Sequence, residues 1–147
     1  MVAPQPTLLL VEDDPGHARL IQRHLHRARF PYPIVILGDG HAALQYLEQV
    51  QQSDGATRPM PFLMLLDLYL PGWSGLKVLA RMKQNVHTRH IPVMILTTSD
   101  DRQEIEDCYA LGCNAYLTKP LDDAQFGEVI SQLGGFLAVM AVPTGVA

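Results

Sequence analysis

Five short runs of uninterrupted apolar residues punctuate the chain, at Leu8–Val11, Ile34–Leu37, Phe62–Leu66, Val93–Leu96 and Ala115–Leu117. They are rich in Leu, Ile and Val and show no polar alternation, the pattern of parallel strands covered on both faces. Between the runs, apolar positions recur at steps of three and four. Pro15 to Ala28 puts Ala18, Ile21, Leu25 and Ala28 on one stripe, with Arg19, Arg23 and Arg27 off it. Asp14-Pro15 opens that segment as an aspartate cap followed by proline at the first helical position. Asp39 to Gln49 carries Ala43, Leu44 and Leu47 on a stripe, and Gly75 to Lys83 carries Leu76, Leu79, Ala80 and Met82. Asp101 to Leu111 carries Ile105, Cys108, Tyr109 and Leu111 and stops at Gly112; a further stripe from Asp122 carries Phe126, Val129, Ile130 and Leu133. Gln51 to Pro61 reads as a polar loop. Strand and helix alternate five times, which predicts an α/β fold: an open, doubly wound parallel sheet with helices on both faces.

The third run contains an anomaly. In "FLMLLDLYLPG", Asp67 stands between apolar residues, where a carboxylate loses hydration at a cost of several kcal/mol unless it is compensated. The predicted architecture resolves this, because ligands of open α/β sheets bind beyond the carboxyl ends of the strands. Asp67 ends the third run, Glu12-Asp13-Asp14 the first, Thr97-Thr98-Ser99 the fourth and Lys119-Pro120 the fifth. Acids, a hydroxyl and an amine therefore arrive at one sheet edge from four strands. Two carboxylates about 4 Å apart repel by roughly 4 kcal/mol at an effective dielectric near 20. Glu12, Asp13 and Asp67 together require a cation, and their oxygen donors suit Mg2+ or Mn2+ rather than zinc. Lys119 supplies a second positive group. A phosphoryl group matches such a site, held by metal, ammonium and the Thr97 hydroxyl.

Composition narrows the classes further. At 147 residues the chain suits one domain, with 48% hydrophobic and 18% charged residues. A net charge of −4 offers no basic stripe for nucleic acid. Lys77, Lys83 and Lys119 are the only lysines. Cys108 and Cys113 lack CxxC spacing and read as reduced thiols of a cytoplasmic protein. Met1 to Thr7 has no signal-peptide pattern, and no apolar run nears the ~20 residues that span a bilayer, so no membrane association is expected.

"LLVEDD", "LLDLYLPGWSG", "IPVMILTTS" and "AYLTKP" resemble the sequence blocks of the receiver domain of two-component response regulators. The intervals of 30 residues from Asp67 to Thr97 (97 − 67) and 22 from Thr97 to Lys119 (119 − 97) are usual for that family. The match covers about residues 7 to 133, and "DGHAALQYL" and "ILTTSDD" are similar to stand-alone regulators that partner phytochrome-type photoreceptor kinases. The resemblance implies a flavodoxin-like sheet in the order 2-1-3-4-5 and a signalling protein rather than an enzyme. Asp67 would be the phosphoacceptor, attacking a phosphohistidine of a sensor histidine kinase. Asp13 and Asp67 would hold Mg2+, with Glu12 acting directly or through water and the backbone carbonyl of Tyr69 completing the protein ligands. Lys119 would pair with phosphoryl oxygens, Thr97 would move to hydrogen-bond one of them, and Tyr116 would be the aromatic switch swinging inward. The Lys119–Pro120 bond would be cis.

Other residues read more plainly. Asp14 is assigned as a helix cap rather than a metal ligand, Thr98 and Ser99 as turn or cap residues, and Tyr109 as helix packing. His24, His26, His87 and His90 read as solvated, and Met60, Met64, Met82 and Met94 as core or core-edge residues. Trp73 is expected near the site and partly exposed. Aspartyl phosphatases place a second aspartate two residues after the nucleophile, where this chain has Tyr69. An acidic cluster opposes a flavin phosphate, "PGWSG" departs from the Gly-x-Ser-x-Gly elbow, and there is no P-loop. After Leu133 only 14 residues (147 − 133) follow, so one receiver domain over 1–147 with output through protein contacts is expected. The apolar stripe runs through Gly134-Gly135 to Leu137 and Met140, predicting one helix to about Val142, its 134–142 extension leaving Phe136, Leu137 and Met140 exposed to pair two copies as a homodimer.

Overall fold

A computed structural model describes residues 7–27, 29–52 and 61–119, together with Ala124 and Glu128. Strands and helices alternate: β1 (Thr7–Val11), α1 (Pro15–Arg27), β2 (Ile34–Leu37), α2 (Gly40–Gln52), β3 (Pro61–Leu66), α3 (Gly75–Gln84), β4 (Val93–Thr97), α4 (Arg102–Ala110) and β5 (Ala115–Thr118). Every strand pairing is parallel, and the order is β2-β1-β3-β4-β5. This is the doubly wound sheet that the alternation predicted. Pro120, the helix expected from Asp122, and Phe136, Leu137 and Met140 lie outside the described residues, as does Met60.

Alternation along each strand divides the core in two. Leu9, Val11, Met64, Leu66, Val93 and Ile95 point to one face, where Ala43 and Leu47 of α2, Val78, Leu79 and Met82 of α3, and Cys108 of α4 cover them. Leu8, Leu10, Leu63, Leu65, Met94 and Leu96 point to the other, against Ala18, Ile21 and Leu25 of α1. Burying each such side chain contributes about 1.5–3 kcal/mol, so the central strands hold the sheet together. The outer strands differ from expectation. β2 is half-buried with Ile36 exposed, and β5 is half-buried throughout, because each has a neighbour on one side only.

Local chemistry starts and stops the helices. Asp14 Oδ1 accepts from the His17 amide at 3.0 Å, the cap assigned from the sequence. Ser74 caps α3 by accepting from the Lys77 amide at 3.3 Å, and Asp101 caps α4 by accepting from the Glu104 amide at 3.0 Å. At the end of α4, Gly112 takes φ +103°, its amide donates to Tyr109 and the Cys113 amide donates to Cys108. That pair of bonds is a Schellman motif, which requires a residue tolerant of positive φ. It also brings Cys108 and Cys113 together in the core.

Two expectations, for His24 and Tyr109, are corrected by the packing. His24 is buried, not solvated, because it lies three residues after Ile21 on the inward stripe of α1. Tyr109 is exposed rather than packed, since Cys108 takes the inward position and its neighbour is turned about 100° away. Trp73 is half-buried as expected, but its ring packs on the α2–α3 core. Lys77 Nζ stands 3.9 Å and Arg81 Cζ 5.3 Å from its centroid. Its contacts are those of packing on the following helix, with cation–π attraction from α3.

Candidate functional site

Register places the site. Val11 pairs with Leu66, so Glu12 and Asp67 emerge side by side from β1 and β3, and the Asp67 amide donates to the Val11 carbonyl at 3.1 Å. Thr97 pairs with Thr118, so Lys119 leaves β5 beside the end of β4, its amide donating to the Thr97 carbonyl at 2.6 Å. The four strand ends therefore converge as predicted. Carboxylate oxygens of Glu12, Asp13 and Asp67 all lie within 4.8 Å of one another. Glu12 and Asp67 are buried and Asp13 is exposed.

Lys119 is the cation of this cluster. Its ammonium donates to Glu12 Oε1 and, at 3.1 Å, to Asp67 Oδ2. The expectation that Lys119 serves phosphoryl oxygens thus meets a structure in which it spans two carboxylates. One ammonium offsets one of three negative charges. Desolvation nevertheless dominates at Glu12 and pushes its carboxyl above the ordinary range, against the opposing pull of Lys119. Three oxygen donors with surplus negative charge and one exposed member fit a hard divalent cation, and they would hold it through Asp13, Asp67 and Glu12.

Thr97 completes the wall. Its side chain is wholly buried, and its Oγ1 has no hydrogen-bond partner among the described residues. An unsatisfied buried hydroxyl costs about 1–3 kcal/mol, which a ligand oxygen would recover. Tyr116 is half-buried against the core, and its hydroxyl donates to the Ser99 carbonyl at 2.7 Å. Tyr69 donates its amide to Asp67 Oδ1 at 3.2 Å, and its exposed side chain reaches away toward α4.

Two neighbours were not singled out in the sequence. His17, in the first turn of α1, places Nδ1 3.3 Å from Lys119 Nζ and 3.8 Å from Glu12 Oε1. Its position three residues after the Asp14 cap, on the turn that faces the strand ends, was the available signal. Glu104 accepts from the hydroxyls of Tyr69 and Ser99. Its Asp-x-x-Glu spacing from Asp101 marked it as a helix-start residue and gave no sign of partners on other loops.

A profile described as the response regulator receiver domain matches residues 8–131. Response regulator Rcp1 of Synechocystis sp. is 42% identical over 116 residues, which is 79% of this chain and 78% of that protein. The phosphorylated cyanobacterial phytochrome response regulator RcpA superposes with a TM-score of 0.76 at 34% identity, over 90% of this chain and 94% of that one. The Mn2+-bound form of Rcp1 superposes with a TM-score of 0.75 at 37% identity, over 91% and 94%.

Proposed function

This chain belongs to the response regulator receiver domain family, and on that premise we propose that Asp67 accepts a phosphoryl group from a sensor histidine kinase of phytochrome type. The observation that carries this reading is the convergence at one sheet edge of Glu12, Asp13 and Asp67, with the Lys119 ammonium bonded to two of them. A carboxylate oxygen of Asp67 forms the new P–O bond as the P–N bond to the donor histidine breaks, the electron pair staying on the imidazole nitrogen. Asp13, Asp67, Glu12 and the Tyr69 carbonyl would hold a divalent cation, which would supply positive charge to offset that of the phosphoryl oxygens.

The remaining steps belong to the protein's own groups. Lys119 exchanges its carboxylate contacts for a phosphoryl oxygen, which is why it stands already within 3.1 Å of Asp67. Thr97 donates its unpartnered hydroxyl to another. Tyr116 follows as the switch, swinging inward from the position in which its hydroxyl donates to the Ser99 carbonyl. Tyr69 occupies the place where aspartyl phosphatases carry a second acid, so self-catalysed turnover is slow. The apolar stripe running to Leu137 and Met140, with Phe136 beside it, supports a homodimer through this segment. Similarity to RcpA and Rcp1 supports the photoreceptor branch and the use of Mg2+ or Mn2+.

Incubation with acetyl phosphate and Mg2+ tests the assignment. Wild type should gain one base-labile phosphate, Asp67→Asn should gain none, and chelation should stop incorporation. Wild-type labelling of Asp67→Asn would remove Asp67 from the acceptor role.

A further inference from the structure

Glu104 occupies the third position of α4, where a glutamate ordinarily turns back to accept the amide of its own cap residue. Here it does not. The Asp101 amide donates to Ser99 Oγ at 3.2 Å, and the Glu104 carboxylate meets side chains of two loops instead. It accepts from the Tyr69 hydroxyl at 2.8 Å and 2.7 Å, through both oxygens, and from the Ser99 hydroxyl. Tyr69 stands two residues after Asp67, and its amide donates to Asp67 Oδ1. Ser99 stands two residues after Thr97, and its carbonyl receives the Tyr116 hydroxyl. One carboxylate on α4 thus joins the loop that carries Asp67 to the loop that follows Thr97 at the end of β4, and Tyr116 separately joins that second loop to β5.

We propose that Glu104 is a positioning residue of the phosphoryl site, a tie that fixes the separation of the β3–α3 and β4–α4 loops and couples their movement to α4. The proposal rests on the phosphoacceptor reading of Asp67. A shift of Thr97 toward a phosphoryl oxygen draws Ser99 with it, and Ser99 pulls on the carboxylate that also holds Tyr69. With the tie intact, the Thr97 hydroxyl is held where a phosphoryl oxygen meets it, and the Tyr69 ring stays lashed to α4. Without it, both loops gain freedom, the hydroxyl is no longer held, and water reaches the acyl phosphate more readily.

The test uses Glu104→Ala, Glu104→Gln, Tyr69→Phe and the Glu104→Ala/Tyr69→Phe double variant, phosphorylated with acetyl phosphate and Mg2+. The readout is the rate of phosphoryl loss after the donor is removed. Tyr69→Phe deletes one oxygen at an exposed position and leaves folding intact. Glu104→Ala and Tyr69→Phe should each speed the loss by about five- to tenfold, the net weight of one hydrogen bond at an exposed position. The double variant should lose phosphate no faster than the faster single one, because the second change removes nothing further. Glu104→Gln, which keeps an acceptor oxygen, should lie within about twofold of wild type. If Glu104→Gln matches Glu104→Ala while Tyr69→Phe is silent, the carboxylate acts through its charge alone and the tie is refuted. Wild-type rates in all variants, or additive effects in the double one, refute it equally. Failure of wild type to label on Asp67 would instead strike the underlying assignment.

Discussion

Gly75→Ala probes the packing of α3 against Asp67, the proposed phosphoacceptor. Gly75 is the buried first residue of α3, and a Cβ there would lie 2.2 Å from the Asp67 carbonyl oxygen, 2.7 Å from Leu68 Cα and 3.0 Å from the Asp67 carbonyl carbon. Since Cβ contacts essentially never fall below 3.0 Å, at least 0.8 Å of movement (3.0 − 2.2) is required. What must move is backbone, and it is anchored on both sides. The Asp67 amide is bonded to Val11 at 3.1 Å, and the Gly75 amide to the Leu68 carbonyl at 2.8 Å. Overpacking of this kind costs about 3 kcal/mol, offset by about 1 kcal/mol from alanine's helix propensity. A net loss of about 2 kcal/mol lowers the melting temperature by about 4–8 °C in a chain of this length. The shift displaces Asp67 itself, so phosphorylation by acetyl phosphate should slow by about tenfold or more. Calorimetry and initial labelling rates measure both effects. Gly38→Ala is the control, because its Cβ would meet nothing within 4 Å, and it should stay within about 0.5 kcal/mol of wild type. A Gly75→Ala protein that melts within about 1 °C of wild type and labels at its rate would refute the reasoning.

Asp14→Ala should lower the melting temperature by about 3 °C, through loss of the bond to the His17 amide, and leave Mn2+ affinity unchanged. A tenfold loss of affinity by titration calorimetry would make Asp14 a ligand. Burial pushes the Cys108 thiol up to about 12 and raises that of Cys113 as well. Their stabilising contribution is full below the unfolded thiol range and is lost as pH rises through the folded values, so alkaline melts should fall across that window. Iodoacetamide at pH 8 should therefore modify both cysteines only as fast as the protein opens, and labelling at the rate of a free thiol would contradict this.

The sheet was legible because its evidence is local. Each apolar run, each step of three or four and each cap is written within about a dozen residues, and local patterns report which residues prefer one face of one element. The candidate site was legible for a related reason. An aspartate directly after five apolar residues is costly anywhere except at the open end of a strand, so Asp67 announced both its position and the existence of a site. The strand ends at Glu12, Thr97 and Lys119 followed from the same alternation.

Other properties depended on neighbours distant in the chain. "LLLV" and "IVIL" look alike as sequence, yet β1 is wholly buried and β2 half-exposed, because sheet order puts one at the centre and the other at an edge. His24 was misread since a polar residue on an apolar stripe is buried or not according to what packs over it. Lys119 and Glu12 are 107 residues apart, and only the β1–β3–β4–β5 register brings them into contact. Glu104 carried a helix-start spacing in the sequence, and folding gave it Tyr69, 35 residues away, as a partner. Sequence by itself determined the elements, their order and the acid that needed a site, because propensity and periodicity act over short range. Tertiary structure alone decided which strand is an edge, which histidine is buried and which charges meet, because those depend on register between segments that share no local signal.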